Sequence, residues 1–202
     1  MALETLPLFR DDPYRRDCEA EIVAINERGG VVLDRTIFYA TSGGQPGDTG
    51  RLMVGEDAFA IGAAVYGDEK TEIVHVPAEP GGALQAGAGV RAEIDWPRRH
   101  RHMRMHTALH LLCALVPFPV TGGSIGAEES RLDFDIADAG AIDKDELVEK
   151  LNALVAADHP VATRWISDEE LADNPGLVRT MSVKPPMGSG HVRRSLNQMS
   201  LY

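Results

Sequence analysis

The chain has 202 residues, 44% of them hydrophobic and 25% charged, which suits a folded core in one large domain or two small ones and excludes a disordered chain. No apolar run reaches the length of a membrane span, Met1-Ala2-Leu3-Glu4-Thr5 lacks the flanks of a secretory signal, and Cys18 and Cys113 are too few for a disulfide framework. A cytoplasmic protein with no membrane partner is expected, and the net charge of −11 leaves room for a polyanion only at local basic patches.

Residues 1–94 read as strands and turns. Residues 19–25 alternate apolar and polar, Gly29-Gly30 supplies a turn, and 31–33 begin a return strand. The β-branched and aromatic run 36–40 predicts another strand, broken by Ser42-Gly43-Gly44-Gln45-Pro46-Gly47-Asp48. Further strands are predicted at 51–54, 59–65, 71–76 and 90–94. Short strands at regular intervals point to a small barrel or sandwich.

The character changes at Asp95-Trp96-Pro97. Asp95 can cap a helix, Pro97 suits a first turn, and no Gly or Pro follows until Pro117, so a helix through Leu115 is predicted. Two more helices are signalled by Asp143-x-x-Glu146 and Ser167-x-x-Glu170, with strands at 132–136 and 161–166. The fold class is therefore α+β, with a β module over 1–94 and an α+β module over 95–202.

The first helix carries a basic run. Arg98, Arg99, Arg101 and Arg104 occur with no acid among them, and Lys184, His191, Arg193 and Arg194 form a second cluster. Such a run either contacts phosphates or is a solvated helix face. His106 and His110, four apart, leave one face of the helix about a turn apart, a spacing that holds one zinc ion or is simply two unrelated histidines. Thr107 stands where a metalloprotease needs its general base Glu, which excludes that chemistry. Cys113 shares the face as a possible third donor, but its apolar neighbours favour a buried thiol. Gly43-Gly44 reads as a tight turn, because no Gly-Lys-Ser/Thr follows it and it opens no helix; a Gly-x-Ser-x-Gly elbow is absent too.

Three segments in order resemble one family. Phe38-Tyr39-Ala40-Thr41-Ser42-Gly43-Gly44-Gln45-Pro46-Gly47-Asp48-Thr49-Gly50 is similar to the Phe-Tyr-Pro-x-Gly-Gly-Gly-Gln-Pro-x-Asp-x-Gly signature of alanyl-tRNA synthetases and their free-standing AlaX-type editing relatives, departing at Ala40 and Ser42. His106-Thr-Ala-Leu-His110 resembles the family's first zinc motif. Thr121-Gly122-Gly123-Ser124, followed by Arg131-Leu-Asp-Phe134, resembles the segment bordering its editing pocket.

The resemblance implies an N-terminal β-barrel and an α+β editing domain that hydrolyses mischarged tRNA(Ala), chiefly seryl-tRNA and in some members glycyl-tRNA. It implies Zn2+ held by His106 and His110, with Ser124, Gly122 and Gly123 at the aminoacyl pocket. Gly43, Gly44 and Gln45 would form a discriminating loop, with Gln45 and Ser124 as candidate catalytic polar groups. Arg98, Arg99, Arg101 and Arg104 would contact phosphates of the acceptor end.

The family's second ligand pair lies in a Cys-Gly-Gly-Thr-His segment. One alignment lays Met187-Gly188-Ser189-Gly190-His191-Val192 over it, with Met187 in place of the Cys. The other matches residues 177–193 to the strand-turn-strand that precedes it, and agrees better with the spacing from His110. The second alignment predicts truncation or a frameshift just before the ligand pair, leaving the editing domain incomplete at its C-terminus. The competing functional expectation is then an inactive tRNA-binding remnant.

Overall fold

The structure, a computed structural model, describes residues 4–68, 70–79, 84–138, 140, 142–173 and 191–197. It divides into two compact units: Met1–Met103 with Gly126–Glu128, and Arg104–Ile125 with Glu129–Tyr202.

The first unit is a barrel rather than a sandwich. Strands β2 (Asp17–Ile25), β3 (Val31–Leu33), β5 (Gly50–Val54), β6 (Asp57–Tyr66), β7 (Ile73–Pro77) and β8 (Gly89–Ile94) close in the order β2-β3-β7-β6-β5-β8. Every pairing is antiparallel, and β8 returns to β2 through Cys18↔Ala92 and Ala20↔Val90, so none of the six is left as an edge. A short parallel pair, β1 (Leu6–Pro7) with β4 (Arg35–Thr36), lies outside the barrel ladder. The alternation read in β2 has a plain cause: Cys18, Ala20 and Ile22 face the core at every second position, as Val90, Ala92 and Ile94 do in β8. Leu33, Ile37, Phe38, Leu52 and Ile73 are among the largest of the other buried core side chains.

Residues 36–40 depart from the predicted strand, which stops at Thr36. Ile37, Phe38 and Ala40 are fully buried, so their apolar character reflects burial rather than a ladder. The backbone donors find other partners: Phe38 N–H donates to Thr36 Oγ1 (3.0 Å), Tyr39 N–H to Asp48 Oδ2 (2.8 Å) and Thr41 N–H to Ala64 O (2.9 Å).

Helix α1 (Trp96–Leu115) begins where expected, with Asp95 Oδ1 accepting the Arg98 N–H at 3.1 Å. In the second unit, β9 (Val120–Ile125) pairs with β10 (Ser130–Phe134). The strand predicted at 132–136 thus lies two residues earlier, and its partner β9 escaped notice because Gly122-Gly123 depress its strand character. Helix α2 (Lys144–Ala156) is capped by Asp143, whose Oδ1 accepts the Asp145 and Glu146 N–H groups at 3.0 and 3.1 Å. Helix α3 (Asp168–Asp173) follows β11 (Val161–Ser167), with Ser167 Oγ accepting the Glu170 N–H. Strand β12 (His191–Asn197) pairs antiparallel with β11 and runs on past Arg193. Among the described residues no helix is long and apolar enough to cross a membrane.

Candidate functional site

In the first unit the Gly-rich loop is built by backbone constraint. Ser42 and Gln45 exchange both main-chain hydrogen bonds (3.1 and 2.9 Å), and the two residues between them, Gly43 and Gly44, have φ of 57° and 77°. A two-residue turn with both central residues at positive φ is the type I′ geometry, which explains the glycines without any ligand. Gln45 is buried. Gly47 answers a different demand: a side chain there would collide with the Ala64 carbonyl. Its N–H donates to Thr41 Oγ1 (2.8 Å), and its carbonyl accepts from Arg98 Nη1 (2.8 Å).

Asp48 and Arg99 form a buried ion pair behind this loop, with side chains 1% and 4% exposed. Asp48 Oδ2 also accepts the Tyr39 N–H, and the guanidinium lies 5.5 Å from the Tyr39 ring and 5.9 Å from Phe9. Burial pushes the Asp48 carboxyl above its ordinary range, while Arg99 and the Tyr39 N–H pull it back, so each partner depends on the other. Sequence reasoning missed this pair. It assigned Arg99 to phosphate contacts, whereas the structure turns that side chain inward; an acid set in an apolar, Gly-rich run was the available signal. Arg98 is tied to Gly47, and Arg101 and Arg104 are exposed, Arg101 lying 3.7 Å from Glu128.

Along α1, Arg99, His102, His106 and His110 follow at spacings of three, four and four, one face of the helix. His102 is 1% exposed and its Nδ1 has no hydrogen-bond partner among the described residues. Burial, then the neighbouring arginines, keeps that ring neutral. The sequence showed His102 only as a member of the basic run.

In the second unit the His106 and His110 rings stack at 5.0 Å between centroids and 12° between planes. Burial, helped by the neighbouring His110, pushes His106 down to about 4. The His110 ring is pushed the same way by burial, although the residue as a whole is exposed. Two neutral imidazoles one turn apart fit zinc in kind. Among the described residues no group of three or more His, Cys, Asp or Glu side chains could hold a metal, so the pair supplies two donors. Cys113 is half-buried rather than sealed in a core. Met187 lies outside the described residues.

The β9–β10 hairpin carries the third motif. Ser124 is exposed and opposite Arg131, and Gly123 opposite Leu132. A Cβ on Gly123 would stand 2.8 Å from the Arg131 carbonyl, so the glycine is required by space.

The family profile described as tRNA synthetases class II (A) matches residues 13–98, the barrel and the start of α1. The alanyl-tRNA editing protein AlaX-M of Methanosarcina acetivorans is 38% identical over 187 residues, covering 87% of this chain and 75% of the relative. The chain belongs to the AlaX-M family of alanyl-tRNA editing proteins. The AlaX-M protein of Pyrococcus horikoshii is 29% identical over 94% of this chain and 85% of its own length. The alanine–tRNA ligase of Pyrococcus abyssi is 36% identical over 86% of this chain but only 19% of the ligase, so what this AlaX-M relative shares with the synthetase is one portion of it.

Proposed function

We propose that this chain is a cytoplasmic trans-editing hydrolase that deacylates mischarged tRNA(Ala), chiefly seryl-tRNA. The observation that carries the reading is the similarity to AlaX-M editing proteins over 87% of the chain, joined to the neutral, stacked His106–His110 pair. The reaction adds water across the ester: a C–O bond forms at the carbonyl carbon, and the terminal ribose oxygen leaves with a proton.

In this reading the barrel, 1–94, and the α+β domain, 95–202, divide the work. His106 and His110 would hold a Zn2+ ion, which would supply charge stabilisation for the ester carbonyl and orientation for the aminoacyl end. Held neutral by burial, both rings are ready to donate lone pairs without first losing a proton. Exposed Ser124, with the Gly122-Gly123 backbone, offers hydrogen-bonding groups to the amino-acid moiety. Gln45 on its rigid turn, with Gly43 and Gly44, contributes to discrimination. Arg98, Arg101 and Arg104 contact acceptor-end phosphates, which positions the substrate without reading sequence.

A second reading, a catalytically inactive tRNA-binding remnant, is favoured by one observation, the lack of a third metal donor among the described residues. Deacylation of seryl-tRNA(Ala), with and without added zinc, separates the two. Hydrolysis stimulated by zinc supports the editing enzyme; tRNA binding with no hydrolysis under either condition supports the remnant.

A further inference from the structure

A partly exposed aromatic and cationic cluster stands on the first unit, built from residues outside the Gly-rich loop. Trp96 and His100, four residues apart at the start of α1, stack at 5.3 Å with 15° between their planes. Arg16 lies over the Trp96 ring at 4.8 Å, and the Tyr14 ring sits 5.6 Å from Trp96 and 6.3 Å from His100. Two local devices hold these groups. Asp12 Oδ1 accepts the Tyr14 N–H at 2.9 Å, fixing the turn that presents Tyr14, and Asp95 caps the helix that presents Trp96 and His100. The Ile94 N–H donates to Arg16 O at 3.1 Å, fastening the two segments together.

The role of this cluster divides between its members. Trp96 packs against the barrel core and is half-buried, as a structural aromatic should be. Tyr14 is 61% exposed and is not among the residues packed on that core. Arg15 and Arg16 beside it are exposed, and Arg15 Nε donates to the Asp17 carbonyl, which aims its guanidinium without neutralising it. An exposed ring backed by a stacked platform, with two cations alongside, matches the chemistry of an unpaired nucleobase and its phosphate. The acidic net charge makes this concentration of cation and π-face more telling, since diffuse attraction to RNA is weak.

We propose that Tyr14, Arg15 and Arg16, supported by Trp96 and His100, form a stacking platform for an unpaired nucleotide of the RNA substrate. This rests on the tRNA-editing reading above and adds a recognition site that its three motifs do not contain.

The test uses the full chain carrying Trp165→Phe, so that Trp96 is its one tryptophan fluorophore. Deacylated tRNA(Ala) and a short single-stranded oligoadenylate are titrated against Trp96 fluorescence, and tRNA affinity is measured independently by filter binding. Tyr14→Ala is expected to weaken tRNA binding about tenfold, Tyr14→Phe to restore it, and Arg16→Ala to weaken it with a flatter salt dependence. Thermal unfolding of each variant accompanies the titrations, and the high exposure of Tyr14 predicts an unchanged midpoint. Wild-type affinity in Tyr14→Ala, with no Trp96 quenching by either RNA, overturns the platform. Seryl-tRNA deacylation by the unmutated protein reports separately on the editing reading, so the platform can fail while that reading stands.

Discussion

Arginine and histidine each occupy two kinds of environment in this molecule, and the contrast shows what separates a structural from a functional polar residue. Inside the barrel unit, His75 is fully buried and both ring nitrogens are committed. Nδ1–H donates to Val31 O (3.0 Å), and Nε2 accepts from the Thr36 hydroxyl (2.7 Å), whose oxygen accepts the Phe38 N–H. Arg99 is likewise buried against Asp48. On the later turns of α1, His106 stacks on a second imidazole, and Arg101 and Arg104 are exposed. Burial lowers His75 and His106 alike to about 4. A depressed pKa therefore does not distinguish the two; the chemistry of the partners does.

The sharpest way to break the contrast is to remove Asp48. Asp48→Ala strands the Arg99 guanidinium in the barrel and is expected to cost about 3–5 kcal/mol of stability, read from denaturant midpoints. A loss below about 1 kcal/mol would mean that Arg99 escapes to solvent. Next comes His106→Ala, expected to reduce seryl-tRNA deacylation by about 100-fold or more, since even indirect partners of a metal cost 10–100-fold. Its unfolding midpoint should move far less than that of Asp48→Ala. A variant as active as the parent would return His106 to the structural class.

Most of the barrel was legible in the sequence because strand periodicity and turn chemistry are local. Residues 19–25 announced themselves by alternation, and Gly43-Gly44 by the turn they make. Segment 37–40 was misread because burial and strand formation favour the same residues, and only the distant acceptors Asp48 and Ala64 decide between them. Strand β9 was hidden by its glycines, of which Gly123 serves close approach to Arg131 across the hairpin. For the site, the pattern His106-x-x-x-His110 was visible, since helix geometry fixes it. The inward turn of Arg99 was not, because it depends on a partner 51 residues away.

A smaller effect sharpens the histidine half of the comparison. The folded-state pKa of His75, about 4, lies below the ordinary value of 6.5, so the neutral ring is stabilised by folding. Its contribution is fully present above pH 6.5 and is lost as pH falls toward 4, when the unfolded chain takes up the proton first. About 2 kcal/mol should disappear between pH 7 and 5 from this residue alone. His75→Gln lowers stability at neutral pH but should remove that part of the slope. If the wild type and His75→Gln lose stability in parallel across this range, His75 is not the group that titrates.

The smallest effect concerns the arginine half, and it is one of slope rather than size. Arg101 and Arg104 are exposed, so Arg104→Ala should leave stability within about 0.5 kcal/mol of the parent. Each phosphate contact releases condensed counterions, so losing one should reduce the log–log salt slope of tRNA binding by about 0.7–0.9. The control is Arg99→Lys, which keeps the charge but cannot reproduce the planar fork buried against Asp48. It should lower stability and leave the salt slope unchanged, the reverse of Arg104→Ala. Equal slopes in all three proteins would remove Arg104 from the phosphate-binding set, and a flattened slope in Arg99→Lys would place the buried arginine in it. Position relative to Asp48, rather than membership of the basic run, then decides which arginines meet RNA.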